Sequence, residues 1–218
     1  MIKVERSFPA PEALSIESRK TNGNYRHPEV IARLQKDFHA KCYICEIKPV
    51  QDPEVEHLYP HKGGLYKERM FDWNNLFYSC GHCNGIKNNK KYGDLILDCC
   101  RIDPEEYIHH AVVKNEVIAV ARNPGNASID ATVDLINEVF NSSNTGIREI
   151  ASSMRRDELI QEMNAFLKYL DQYSQNHNDK LSLRIVKSML SCESAFSAFK
   201  REYIRMHHNL YAELFRIL

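Results

Sequence analysis

Long apolar runs are missing: nothing in the 218 residues approaches the roughly eighteen consecutive apolar positions that a membrane-crossing helix needs. The opening MIKVERSFPAPEAL has no apolar stretch set between a positive flank and a small-residue cleavage site, so a cytoplasmic chain with no membrane partner is expected. Glycine and proline are scarce, at eight each, and with 43% hydrophobic and 27% charged residues the composition excludes a linker-like or disordered chain. Neither charge dominates, because 29 basic residues face 29 acidic ones. The whole chain therefore has no basic field with which to gather nucleic acid, and any such binding must come from a local patch or a partner. Internal repeats and low-complexity tracts are also absent.

What is present is unevenly placed. Over residues 62–91, Lys62, Lys67, Arg69, Lys87, Lys90 and Lys91 outnumber Glu68 and Asp72. The next stretch is acidic, with Asp94, Asp98, Asp103, Glu105 and Glu106 against Arg101. Seven cysteines include two CxxC pairs, Cys42/Cys45 and Cys80/Cys83, while Cys99, Cys100 and Cys192 stand apart as small buried side chains. An odd count without a secretion signal speaks for metal ligation rather than a disulfide framework.

Two residues between cysteines let a tight knuckle aim both sulfurs at one ion, and two knuckles complete a tetrahedral shell. Thiolates favour zinc over magnesium or calcium. A closed four-sulfur shell leaves no open position, so the expected Zn²⁺ is structural. His82, inside the second knuckle, is expected to be a bystander.

Around these knuckles the pattern predicts a helix over 28–39 opened by Pro28, and strands at 55–58 and 76–79. A short basic helix follows Cys83 and stops at Gly93. Strands are expected at 95–98, 108–113 and 116–120, the last two joined by a Lys114-Asn115 turn, then a helix over 130–140. Beyond 146 the period is helical. Apolar stripes run through Ile160, Met163, Phe166, Leu167 and Leu170, and through Phe196, Phe199, Tyr203, Met206, Leu210 and Leu214, as core or partner-helix contacts.

The stretch VEHLYPH sets His57 and His61 four apart, an interval that would suit a zinc helix. Pro60 between them breaks that helix, and Glu56 precedes the first histidine where a zinc-helix glutamate would follow it. The pair is instead read with what comes later: Asp72-Trp73-Asn74-Asn75-Leu76, then Cys80-Gly-His-Cys83-Asn84 and Lys87. An acidic residue before histidine, an asparagine before leucine, and CxxCNxxK nine residues on resemble the HNH endonuclease family.

That resemblance implies an α+β protein: a ββα-metal nuclease core stapled by the four-cysteine zinc knuckle, a small β extension and a helical C-terminal region. It divides the chain into an arm and helix over 1–40, the nuclease core over 41–93, the β extension over 94–125 and the helical region over 126–218, the last a partner-binding candidate. It further implies His57 as general base, Asn75 as the residue orienting that base through its carbonyl, and Glu56 and Asn84 as ligands of one catalytic Mg²⁺ or Mn²⁺. Lys87, Lys90, Lys91 and His61 are the expected phosphate contacts, on nucleic acid, with DNA favoured over RNA. An imidazole near its ordinary pKa of about 6.5 suits proton abstraction at neutral pH, and oxygen ligands suit hard cations.

The stretches MIKVERS, KCYICE, VEHLYPHK, FDWNNLFYSCGHCNGIK and LILDCCRIDPEE are, more narrowly, similar to the HNH proteins of Septu-type anti-phage systems, the PtuB group, also found beside retrons. The likeness implies a nuclease subunit controlled by a PtuA-like partner ATPase, with a retron reverse transcriptase and its msDNA as a further partner option. A zinc-knuckle adaptor with an inactive pocket, and an RNA (tRNA)-directed nuclease on the same scaffold, are the alternatives.

Overall fold

In the computed structural model, described over residues 1–88 and 91–218, mixed helices and strands share a continuous apolar core. Helix α1 (Glu12–Ser18) leads to α2 (Pro28–Asp37). Pro28 starts α2 because its missing N–H would be unsatisfied there anyway, and the preceding His27 ring accepts from the Glu29 N–H. Val30 and Leu34 of α2, with Phe38 just beyond, are buried, and α2 packs against the second strand of the pair that follows. Truncating Leu34 to alanine would cost about 3 kcal/mol from lost burial and the cavity left behind.

Strands β1 (Pro53–His57) and β2 (Leu76–Cys80) pair antiparallel, with Pro53 opposite Cys80 at one end and His57 opposite Leu76 at the other. Between them lies a 3-10 turn over Lys62–Gly64 and a short α3 (Lys67–Met70). All five residues of β2 are buried, since α2 covers it together with α4 (Gly81–Lys87), which follows without a linker and also touches β1. The helix expected after Cys83 thus begins earlier, at Gly81, and takes in Cys83, while Cys80 ends β2 and caps the helix. Of the expected basic segment, Lys90 lies outside the described residues.

The strand expected over 95–98 does not form. Its Leu97 N–H donates to the Thr132 hydroxyl at 2.9 Å, so a side chain of the next helix takes the place of a neighbouring strand. Strands β3 (Ile108–Val113) and β4 (Glu116–Ala121) make the expected hairpin. Both turn residues, Lys114 and Asn115, are left-handed, at φ 49° and 67°, the geometry that matches strand twist. Helix α5 (Ala127–Asn141) lies on β4, where the Asn137 amide bonds the Ala119 N–H and carbonyl and Asn141 donates to the Val117 carbonyl. These side chains satisfy a strand edge that no further strand covers among the described residues.

The C-terminal region holds α6 (Gly146–Gln175), α7 (Lys180–Leu190), α8 (Ser197–Met206) and α9 (Ala212–Phe215). Phe166, Leu170, Tyr173, Val186, Leu190, Ile204 and Leu214 form a second apolar cluster among them. Phe196 and Phe199 are buried as the stripe requires, but Met206 and Leu210 are 63% and 73% exposed. Helix α8 ends at Met206, so Leu210 falls outside it, and the buried Leu214 belongs to the separate helix α9. Helix α8 is tied to the hairpin region by ion pairs on two buried carboxylates, Glu105 with Arg201 and the half-buried Arg205, and Glu202 with the half-buried Arg122. No described helix is long and apolar enough to cross a membrane.

Candidate active site and cysteine cluster

The β1–β2 ladder carries a different chemistry at each end. At the Cys80 end, the sulfurs of Cys42, Cys45, Cys80 and Cys83 lie within 4.8 Å of one another, all buried and none in a disulfide. Four zinc-bound thiolates at about 2.3 Å from the ion would sit roughly 3.8 Å apart, and the Cys45 and Cys80 sulfurs are 4.0 Å apart. The donor set and its spacing are compatible with a structural zinc site. His82 turns away, its Nε2 donating to the Val139 carbonyl at 2.9 Å, as a bystander should. Arg155 donates to the Cys80 sulfur at 3.2 Å. Burial alone would lower the Arg155 pKa, but the thiolates of Cys80, Cys45 and Cys83 outweigh that and raise it.

Four residues along the strand, about 13 Å away at strand rise, lies the other end. There a cleft of about 310 Å³ is lined by Glu56, His57, His61 and Asn84 together with Tyr25, Arg26 and Lys62.

His57 is 8% exposed, and its ring packs edge-on at 4.6 Å to both Tyr25 and His61. Its Nε2 lies 3.1 Å from the Met70 carbonyl, which can only accept, so Nε2 carries the proton and Nδ1 keeps the lone pair. Burial lowers its pKa from 6.5 to about 4 against a raising contribution from that carbonyl, so the ring is neutral at pH 7.

The expected contact from His57 to the Asn75 carbonyl is not formed. That carbonyl accepts from the Leu58 N–H at 3.0 Å. The buried Asn75 amide instead accepts from the Tyr59 N–H at 2.7 Å and donates to the Tyr59 and Arg69 carbonyls, each at 2.9 Å. It closes both ends of the 59–69 loop and so fixes Met70, the residue that holds the ring. Asn75 positions His57 at one remove.

Glu56 departs furthest from its expected role. Only 2% exposed, it receives the Lys87 ammonium on Oε1 at 2.6 Å and the Tyr43 hydroxyl on Oε2 at 2.7 Å. Asn84 is likewise engaged, its amide nitrogen against Glu54 and its oxygen accepting from Asn88 at 2.9 Å. A cation bound by Glu56 would sit beside an ammonium, so the expected pair of oxygen ligands does not fit a divalent ion in this arrangement.

Lys87 is corrected for the same reason. It is 3% exposed and donates to Glu56 and to the His57 and Leu58 carbonyls at 3.0 and 2.9 Å, so it holds the strand end and is closed to phosphate. A buried ammonium persists only when paired and hydrogen-bonded, as here. Lys91 is exposed, 3.8 Å from Asp134 and 3.7 Å from Glu138, on a locally acidic surface. His61 does line the cleft, and its Nδ1 accepts from the Gly64 N–H at 3.1 Å.

Sequence reasoning missed Tyr25, Arg26, Tyr43, Glu54 and Asn88. Only Asn88, four residues after Asn84 on one helix face, left a periodic signal. Neither any known family model nor any curated protein matches the chain.

Proposed function

We propose that the protein is an endonuclease of the HNH kind, hydrolysing nucleic-acid phosphodiester bonds in the cleft at the His57 end of the strand pair. The observation that supports it is the convergence of a neutral, buried imidazole with a free Nδ1, Asn84 and a cationic wall on one cleft, beside an antiparallel strand pair followed directly by a helix.

In the reaction, a water oxygen bonds to phosphorus, its proton passes to His57 Nδ1, and the bond from phosphorus to the leaving oxygen breaks as that oxygen takes a proton from solvent water, to which His57 then returns its own. The low pKa keeps His57 in its acceptor form across the physiological range, at the cost of a weaker base. Asn75 holds the loop that orients the ring, and the Lys87–Glu56 pair holds the strand carrying it. The Mg²⁺ or Mn²⁺ that the family resemblance implies would supply a Lewis acid; with Glu56 and Asn84 committed to protein partners, no step is routed through it. The same resemblance supports service as effector nuclease of an ATPase-regulated anti-phage complex.

The engaged Glu56 favours a second reading, a zinc-knuckle adaptor whose pocket does no chemistry. Purified protein, alone and with the product of its genomic neighbour, should be offered duplex DNA, single-stranded DNA and RNA in magnesium, manganese or EDTA. Cleavage that His57→Ala abolishes supports the nuclease. Nucleic-acid binding without cleavage under every condition supports the adaptor.

A further inference from the structure

The cleft's lining carries a charge that nothing balances among the described residues. Arg26 lines it beside Tyr25, with its guanidinium 5.4 Å from that ring's centroid, and its side chain makes no hydrogen bond or ion pair among the described residues. Lys62 also lines the cleft and faces only the Tyr66 ring, at 5.4 Å. The one carboxylate lining the cleft among the described residues is Glu56, already neutralised by Lys87. Two unpaired cations therefore line the same cleft of about 310 Å³ as the buried His57 ring, and no carboxylate other than the paired Glu56 lines it among the described residues.

The donors are positioned. Gly23 passes so close to the Glu17 carbonyl that a Cβ would lie 2.0 Å from its oxygen, and the Asn24 N–H donates to the Glu17 carboxylate at 2.9 Å. This pins the turn that delivers Tyr25 and Arg26. On the adjoining side, the Gly64 N–H can only donate, so the neutral His61 ring keeps its lone pair on Nδ1 and its proton on Nε2. That N–H has no partner among the described residues, and neither do the backbone N–H groups of His61, Lys62 and Gly63.

We propose that Arg26, with the His61 Nε2–H, is the phosphate-binding wall of the cleft and holds the non-bridging oxygens of the scissile phosphodiester against the His57 side. The assignment rests on the nuclease reading and replaces Lys87 as the charge at the reacting phosphate. A guanidinium offers paired donors in one plane, which suits two phosphate oxygens better than an ammonium does.

Arg26 is exposed and its side chain makes no hydrogen bond or ion pair among the described residues, while its backbone bond to Asn24 survives substitution, so Arg26→Ala leaves the fold intact. Amide NMR of the full chain titrated with inorganic phosphate should show shifts at residues 25–26 and 61–63. Arg26→Ala should weaken that binding about tenfold or more and Arg26→Lys less, while His57→Ala retains it. In cleavage assays Arg26→Ala should lower kcat/KM by roughly a hundredfold, the scale for removing one donor to a transition-state oxyanion. Shifts mapping elsewhere, or kcat/KM unchanged by Arg26→Ala in a chain that does cleave, would overturn the assignment and leave the His57 reading standing. Arg26-dependent phosphate binding by a chain that cleaves nothing would instead retire the nuclease and leave an anion site.

Discussion

The two ends of one five-residue strand ladder divide the molecule's work. At the Cys80 end four sulfurs are buried, locally spaced and closed around one point; at the His57 end the polar groups come from four separate segments and leave a cleft open. On the proposed reading, the first arrangement would fix structure because a four-sulfur shell leaves no vacant position, and the second would act through His57 Nδ1 and the Arg26 guanidinium, which are unspent among the described residues. Tyr43 couples them, sitting inside the first knuckle while its hydroxyl holds Glu56 at the other end.

The largest expected effect is at the sulfur end. Structural zinc binding is worth on the order of 10 kcal/mol, comparable with the whole stability of a domain. Chelation, or Cys42→Ser with Cys80→Ser, should therefore unfold the strand pair, read as loss of near-UV circular dichroism together with about one equivalent of zinc per chain. A chain that stays folded without metal would break the division at its root.

Next comes the ion pair beneath the cleft. Lys87→Met leaves the Glu56 carboxylate buried without its cation and should cost about 3–5 kcal/mol in urea unfolding. Glu56→Gln with Lys87→Met should recover roughly half of that loss, because no uncompensated charge remains. A Lys87→Met protein within about 0.5 kcal/mol of wild type, the scatter of ordinary surface changes, would return Lys87 to the surface role its sequence context suggested.

Legibility follows the same split. The cysteine cluster could be read because each knuckle is a local pattern whose chemistry needs no tertiary information. The strand pair, α2, the β3–β4 hairpin and α5 were legible from periodicity and turn residues for the same reason. Lys87 was misread because CxxCNxxK states a charge and not its depth; only folding shows that the face of α4 presenting Asn84 also turns Lys87 under β1. Arg26 was invisible because the Gly23 turn that aims it has no sequence signature apart from a single glycine. The 95–98 segment failed as a strand because Thr132, outside any local window, captures its backbone.

Acid sharpens the comparison from the cleft side. The folded pKa of His57 lies near 4 and the unfolded value near 6.5, so the fold favours the neutral ring. Its contribution is complete above pH 6.5 and is lost as pH falls toward 4, amounting to up to roughly 3 kcal/mol. Burial also lowers the pKa values of His110 and His82, so their contributions carry the same sign. The urea midpoint should fall over this window, and His57→Gln should flatten the fall; a midpoint that rises on acidification would contradict the assignment. The smallest effect belongs to Lys91→Ala, which should change stability by less than about 0.5 kcal/mol because its pairs are exposed.

The claim that chemistry belongs to the imidazole end and structure to the sulfur end is tested most directly by His57→Ala, assayed for zinc content, near-UV circular dichroism and nucleic-acid cleavage with and without the product of the neighbouring gene. The account predicts unchanged zinc and a folded chain, with cleavage reduced by about 10²–10⁴-fold, the range for removing a general base. Cleavage equal to wild type by a variant that keeps its zinc would contradict it.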